Sequence, residues 1–157
     1  MPGCDEFTFL LFHHWLENGK LPELKDYIPE SYNEYEALQV AAVKLWAFAD
    51  TSSMPRLQNE TMQLFVYLCD MSYPEILVVE LIYTITAERS KLRNLIAPIF
   101  VRIVEKKVYE SEFWEALGKI PGWNTEFYDL MSARPDFECP TERRDLSEYE
   151  VDEGQHT

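Results

Sequence analysis

The sequence predicts an all-α fold, in which several helices pack as an array of antiparallel hairpins. Apolar residues recur at spacings of three and four through most of the 157 residues, which is the period of an amphipathic helix. Short segments rich in Ser, Pro and Gly separate these periodic stretches. The sequence shows no β-hairpin signal, and with only five glycines it offers no phosphate-cradling loop.

The first helix is predicted over residues 5–18. Its apolar face is formed by residues at i, i+3, i+4, i+7 and i+8, which are Phe7, Leu10, Leu11, His14 and Trp15. Gly19 follows at the position where a helix often ends in a left-handed residue. A helix with one strongly apolar face requires a covering element.

The next two helices are predicted over residues 35–50 and 55–69. Before them, residues 20–36 carry Pro22 and Pro29 and indicate an extended connection, whose Tyr27 and Tyr32 are expected to lie against the protein. Small residues such as Ala41 in the second helix allow a neighbouring helix to approach closely. These two helices are therefore expected to form a tight hairpin.

Four further helices are predicted before the chain loses its periodicity. Residues 72–75 read Ser-Tyr-Pro-Glu, a capping-box pattern that would open a helix reaching residue 87. That helix is apolar nearly all round, which favours a central position. The next helix spans residues 91–107, where Pro98 is expected to kink or divide it. Shorter helices are predicted over residues 111–118 and 124–132.

The charge of the chain argues against partners with phosphate backbones. The net charge is −14. Residues 138–157 carry seven acidic and two basic side chains, which is −5, so the remainder carries −9. Such a surface repels nucleic acid and anionic lipid, so neither nucleic acid nor membrane is expected as a partner. The residues after Pro135 are expected to form an acidic, disordered tail.

The N-terminal sequence and the spacing of the cysteines indicate the compartment. The apolar run near the N-terminus is short and follows acidic residues, unlike a signal peptide. Three widely spaced cysteines fit a reducing compartment and suggest no zinc site. Cytoplasm or nucleus is the predicted location. The sequon at Asn59 lies inside a predicted helix and carries no meaning in that compartment.

The candidates for chemistry are weak. His13 and His14 point about 100° apart on a helix, so they cannot chelate one metal ion as an i, i+4 pair would. Glu17 is placed instead for a surface ion pair with His13. Glu80, inside an apolar helix, is the one acid that suggests a pocket and hence the alternative of a small helical enzyme or ligand-binding protein. No enzyme, cofactor or metal is predicted.

A local group of basic residues interrupts the acidic surface. It consists of Arg89, Lys91, Arg93, Arg102, Lys106 and Lys107. One interpretation is a solvated face that balances nearby acids. The other is a docking surface for an acidic segment, including the chain's own C-terminal residues. The sequence leaves both open.

Three segments together resemble a BTB/POZ domain, with closest similarity to the fungal proteins of that family. The stretch "EFTFLLFHHWLENGKLP" resembles a BTB helix with its "WLYTGKL"-type ending, although Glu17 and Asn18 replace the usual Tyr and Thr. The stretch "LWAFADTSSMPRLQNETMQLF" resembles the helical hairpin that follows in the family. The resemblance covers residues 5–67, and a general likeness to the family's helical extensions continues to residue 131.

The resemblance implies a fold and a role. Residues 1–70 correspond to the C-terminal half of a BTB domain, residues 71–134 to a helical extension and residues 135–157 to the tail. Only six residues precede Phe7, so the family's front half is missing, as in a truncated or degenerate member. In the family that front half includes a three-stranded sheet, on which this helix packs. Without the sheet, Phe7, Leu11 and Trp15 are expected to form an exposed patch.

The function expected from the resemblance is a non-catalytic protein–protein interaction module or adaptor. Its contacts are predicted at the three residues of that patch, together with Tyr27 and Tyr32 of the connection. Protein partners are expected, including a second copy of the chain. By family resemblance alone, they include a cullin-type ubiquitin ligase.

Overall fold

The computed structural model is all-helical over the residues that it describes, which are 5–23, 32–106, 110–133, 139–142 and 145–154. The helices in these ranges are α1 (Glu6–Asn18), α2 (Tyr32–Thr51), α3 (Pro55–Met71), α4 (Ile76–Ile85), α5 (Lys91–Lys106), α6 (Ser111–Gly118) and α7 (Trp123–Ala133). Two 3₁₀ turns follow, at Pro140–Glu142 and Ser147–Tyr149. No described residue lies in a β-strand, so the predicted all-α class is confirmed.

The chain divides into two compact units. The first contains Met1–Ser72 and Glu150–Thr157, and the second contains Tyr73–Tyr149. The division after Ser72 lies close to the predicted boundary after residue 70. The C-terminal segment, however, is shared between the units rather than forming a separate region.

The first unit is built on the α2–α3 hairpin. Ala41, Ala42 and Ala49 have no exposed surface, because these small side chains let α3 pack closely against α2, as the sequence predicted. The turn between the helices places Ser53 in the left-handed region at φ 54°, and the Met54 N–H donates to the carbonyl of Ala49. Helix α1 packs on α2, where the rings of Phe12 and Phe48 meet edge to face at 5.0 Å.

The second unit packs around α5. Its helix buries Leu92, Leu95, Ile96, Ile99 and Phe100 completely. Phe100 also lies within ring-contact distance of Phe113, Trp114 and Trp123, which join α6 and α7 to this core.

Helices α4 and α5 differ in part from the sequence predictions. Of the two effects expected of Pro98, a kink or a division, the division does not occur, because α5 continues as one helix from Lys91 to Lys106. Helix α4 is not buried all round, because Leu77 and Ile85 are exposed on it. Its start also differs, since the helix begins at Ile76 with Glu75 as N-cap, while Ser72 ends the preceding helix α3.

The C-terminal residues also differ from the expectation of a disordered tail. Within the described part of that segment, Cys139 and Tyr149 are buried. Residues 150–154 lie in the first unit, where Val151 exchanges hydrogen bonds with Asn59. The acidic composition did not predict these contacts, because they depend on the buried ring of Tyr149 and on the backbone groups of Val151.

Candidate interaction surface

Helix α1 is fixed at its N-terminus by Asp5. The carboxylate accepts hydrogen bonds of 2.8 Å from the backbone N–H and the hydroxyl of Thr8, and it pairs with the Lys44 ammonium of α2 at 2.8 Å. Partial burial raises the pKa of Asp5, but Lys44 and the Thr8 hydrogen bonds outweigh it and hold that pKa below its ordinary value. A charged cap therefore joins α1 to α2.

The C-terminus of α1 is fixed by two side chains of α3. Gly19 adopts φ 71°, and its N–H donates to the carbonyl of Trp15. Arg56 donates to the Gly19 carbonyl at 2.7 Å, and Glu60 accepts from the Leu21 N–H at 3.2 Å. Polar groups of α3 thus bind the backbone where the chain leaves α1.

The predicted apolar patch does not lie on the exposed side of α1. Leu11 is buried, and Phe7 and Trp15 are half-buried, because α2 covers much of this face. The expectation that these residues lack cover is corrected accordingly. Tyr27 and the side chain of Tyr32 lie outside the described residues.

Three large apolar side chains of α1 are exposed, and one of them, Leu10, belongs to the apolar face predicted from the sequence. Phe9, Leu10 and Leu16 have exposed fractions of 53%, 52% and 59%. We call this set, together with the pocket beside it, the α1 surface. Half-exposed large apolar side chains grouped on one short helix are typical of a contact surface rather than of scattered surface residues.

The pocket beside these side chains has a volume of about 410 Å³. Phe7, Leu10 and Leu11 supply its apolar wall. The remaining lining residues come from both ends of the α1 region and from α2, and they are His13, His14, Glu17, Pro22 and Leu38. Two residues of the predicted patch, Phe7 and Leu11, therefore belong to a concave site, whereas Trp15 does not line it.

The histidines of α1 have structural contacts. His13 lies 3.5 Å from Glu17, which confirms the predicted surface pair, and its ring stacks on Phe9. The Nδ1 atom of His14 lies 3.0 Å from the Lys20 carbonyl oxygen. In the described part of the chain, no group of three His, Cys, Asp or Glu side chains could hold a metal ion.

Glu80, the residue behind the enzyme alternative, is exposed on α4. Its backbone carbonyl accepts the hydroxyl of Thr84, as is common within a helix. The Glu80 side chain thus lies at the surface of α4 and not inside an apolar site.

The basic residues of the second unit have different environments. Arg93 is buried, donates to the carbonyls of Tyr83 and Thr86 at 2.9 and 2.7 Å, and pairs with Glu126 at 3.3 Å. Lys91 donates to the backbone carbonyl of Glu148 at 2.7 Å. The side chains of Lys106 and Lys107 lie outside the described residues. Neither a solvated face nor a docking surface describes the whole group, since Arg93 is buried and bonds carbonyl groups within its own unit.

Glu126 also acts on Tyr83, whose ring lies under Arg93 at 4.5 Å. Burial raises the pKa of the Tyr83 phenol, the negative charge of Glu126 raises it further, and Arg93 opposes them only in part. Tyr83 therefore stays protonated, and the cluster is a structural one that joins α4, α5 and α7.

Sequence reasoning missed the polar side chains of α3 that bind backbone segments. Arg56 and Glu60 hold residues 19–21, while Asn59 holds Val151 and Gln63 holds the carboxylate of Glu150. The only sequence signal for a shared polar face was the i, i+4 spacing of Arg56 with Glu60 and of Asn59 with Gln63. The same helix also carries buried apolar residues of its unit.

Comparison of the chain with protein-family models, with curated proteins and with solved structures finds no match in any of the three. Among the described helices, none is both long enough and apolar enough to cross a lipid bilayer. The function of the chain is therefore inferred from its own residues.

Proposed function

We propose that the chain is a non-catalytic protein–protein interaction module of BTB/POZ type that acts as an adaptor through the α1 surface. The observation that supports this most directly is the exposure of Phe9, Leu10 and Leu16 on α1, where Leu10 also lines an apolar pocket of about 410 Å³. A partner that presents apolar side chains would bury these residues and fill the pocket.

The energetics favour a contact of moderate strength. Full burial of a Leu or Phe side chain stabilises by about 1.5–3 kcal/mol, so each of these half-exposed residues would contribute roughly 1 kcal/mol in an interface. Both ends of α1 are held by hydrogen bonds, as described for Asp5 and Gly19, so the surface is presented on a fixed element. Little ordering of α1 would accompany binding.

The family resemblance supplies the class of partner. It supports protein partners, including a second copy of the chain, and a cullin-type ubiquitin ligase is proposed on that resemblance alone. The proposed location is the cytoplasm or nucleus, since three widely spaced cysteines in the sequence fit a reducing compartment.

The test replaces the exposed residues of α1 with polar ones. Leu10→Ser combined with Leu16→Ser should leave the fold unchanged, since both side chains are exposed, and should weaken association at least about tenfold. The matched control is Leu77→Ser, which changes a comparably exposed leucine on α4 in the second unit.

Two measurements together decide the outcome. Light scattering reports self-association, and affinity purification from cell extract reports which proteins are retained. Proteins or oligomers that persist with Leu77→Ser but are lost with the α1 variant support the proposal. If all three chains are monomeric and retain the same proteins, the α1 surface is not the contact site.

A further inference from the structure

The side chain of Asn59 binds the backbone of the C-terminal segment as a β-strand would. Its Nδ2 donates to the Val151 carbonyl at 2.9 Å, and the Val151 N–H donates to its Oδ1 at 2.8 Å. This two-way exchange reproduces the hydrogen-bonded residue pair of an antiparallel sheet, with a carboxamide in place of one strand. It requires a ligand residue whose backbone N–H and carbonyl can both reach one carboxamide.

Two carboxylates on either side of Val151 complete the recognition. Gln63 donates to Glu150 at 3.1 Å, and the Nδ2 of Asn59 also reaches Glu153 at 3.1 Å. Beyond this point the chain turns, because Gly154 adopts φ 76° and its N–H donates to Asp152. The contacts therefore select a short peptide with acids one residue before and two residues after the central residue.

The receptor side is built for this ligand. Asn59 has an exposed fraction of only 5%, and both polar atoms of its carboxamide bond to the segment. The segment itself supplies part of this cover, and it supplies a partner for both the donor and the acceptor of the carboxamide.

We propose that the face of α3 formed by Asn59 and Gln63 is a binding site for an acidic peptide. Residues 150–153 occupy this site as an intramolecular ligand. A peptide of the same chemistry, with the pattern Glu-Xaa-Xaa-Glu and a non-proline second residue, displaces them. This site is separate from the α1 surface and does not depend on the function proposed for it.

The test uses the full chain with Val151→Pro, which removes the N–H that Asn59 accepts and so releases the segment. A fluorescent peptide with the sequence of residues 148–154 is titrated against this variant and against the wild type. Because the wild-type site is already occupied, the peptide should bind Val151→Pro at least about tenfold more tightly, as measured by fluorescence anisotropy.

Four controls locate the binding. Adding Asn59→Ala, or separately Gln63→Ala, to Val151→Pro should weaken peptide binding, by about tenfold for Asn59→Ala. A peptide N-methylated at the valine lacks the donor and should also bind about tenfold more weakly, and it requires no change in the protein. A peptide with Asp152→Asn should bind normally, since the Asp152 carboxylate accepts from the Gly154 N–H within the peptide itself.

Amide hydrogen exchange provides an independent check in unmodified protein. The Val151 N–H should exchange slowly in the wild type and rapidly in Asn59→Ala. Rapid exchange in the wild type would overturn the proposal. So would equal peptide binding to wild type and Val151→Pro, unaltered binding after Asn59→Ala, or no binding to a folded Val151→Pro chain.

Discussion

Asp5 combines two functions in one side chain, since it caps α1 and pairs with Lys44 of α2. A cap satisfies backbone N–H groups that have no partner within the helix. The ion pair sets where the start of α1 lies on α2. The carboxylate must be charged for the pair, so its contribution depends on pH.

We expect Asp5→Ala to lower the free energy of unfolding by about 1 kcal/mol at neutral pH. The pKa of Asp5 is lower in the folded than in the unfolded chain, so its stabilising contribution is complete above the unfolded pKa. That contribution is lost as pH falls through the folded pKa. The difference between wild type and variant should therefore narrow below about pH 4, as measured by urea unfolding at several pH values.

Lys44→Met serves as the matched control for Asp5. It removes the ion pair but leaves the hydrogen bonds from Thr8, so it should cost less than Asp5→Ala. A difference between wild type and Asp5→Ala that stays constant down to pH 2 would show that the charge of Asp5 does not contribute.

Single residues differ in how well the sequence predicts their roles. The pair of His13 with Glu17 follows from helix geometry alone, since positions i and i+4 are neighbours. Asn59 could not be predicted, because its partner Val151 is 92 residues away and is bound through its backbone, which every residue carries. The Arg93 clamp was missed for the same reason, because it binds carbonyl groups.

Among the helices, the end of α1 depends on the left-handed conformation of Gly19. At φ 71° any other residue is strained, although a Cβ at this position would meet no atom within 4 Å. We expect Gly19→Ala to destabilise the protein by about 1 kcal/mol through backbone conformation alone, measured as a fall in the midpoint of thermal unfolding.

The control for Gly19→Ala is Gly118→Ala. Gly118 is the last residue of α6, and a Cβ there would make only ordinary contacts of 3.7 Å with Asn124. Because alanine favours a helix over glycine by up to about 1 kcal/mol, this variant should be unchanged or more stable. A loss of stability in both variants would point to packing rather than to φ.

The helices themselves were largely predictable, and their exact starts were not. Apolar periodicity placed the helices within a few residues, since each must bury one face. The capping-box pattern at residues 72–75 predicted the wrong start because Ser72 ends α3 instead. Pro98 did not divide α5, whose residues around it are buried in the core of the second unit, so tertiary packing overrides the local preference.

At the scale of the whole molecule, a net charge of −14 makes electrostatic attraction of an acidic C-terminal segment improbable. The segment is held by other means, because Tyr149 is buried against α5 and the Asn59 contacts involve neutral amide groups. Neither contribution is screened by salt.

We therefore expect Tyr149→Ser to destabilise the second unit by about 3 kcal/mol, and by nearly the same amount at low and at high salt. Thermal unfolding at two salt concentrations measures this. Tyr128→Ser, at an exposed tyrosine of α7, should change stability by no more than about 0.5 kcal/mol. A loss that disappears at high salt would instead favour charge-driven docking on the basic residues of α5.

The sequence was sufficient for the fold class and insufficient for the contact surface. Helix period identifies which face of α1 is most apolar, but only the packing on α2 shows that this face is mostly covered and that Phe9, Leu10 and Leu16 are exposed. The missing information was the position of the covering helix, which depends on contacts between residues far apart in the chain.

Two buried cysteines have a practical consequence for studying this molecule. Cys69 lies in the first unit and Cys139 in the second, and both thiols are buried. An alkylating reagent can reach each thiol only when its own unit opens. Mass spectrometry of the labelled sites would thus time the opening of each half of the chain separately, with natural residues as the reporters.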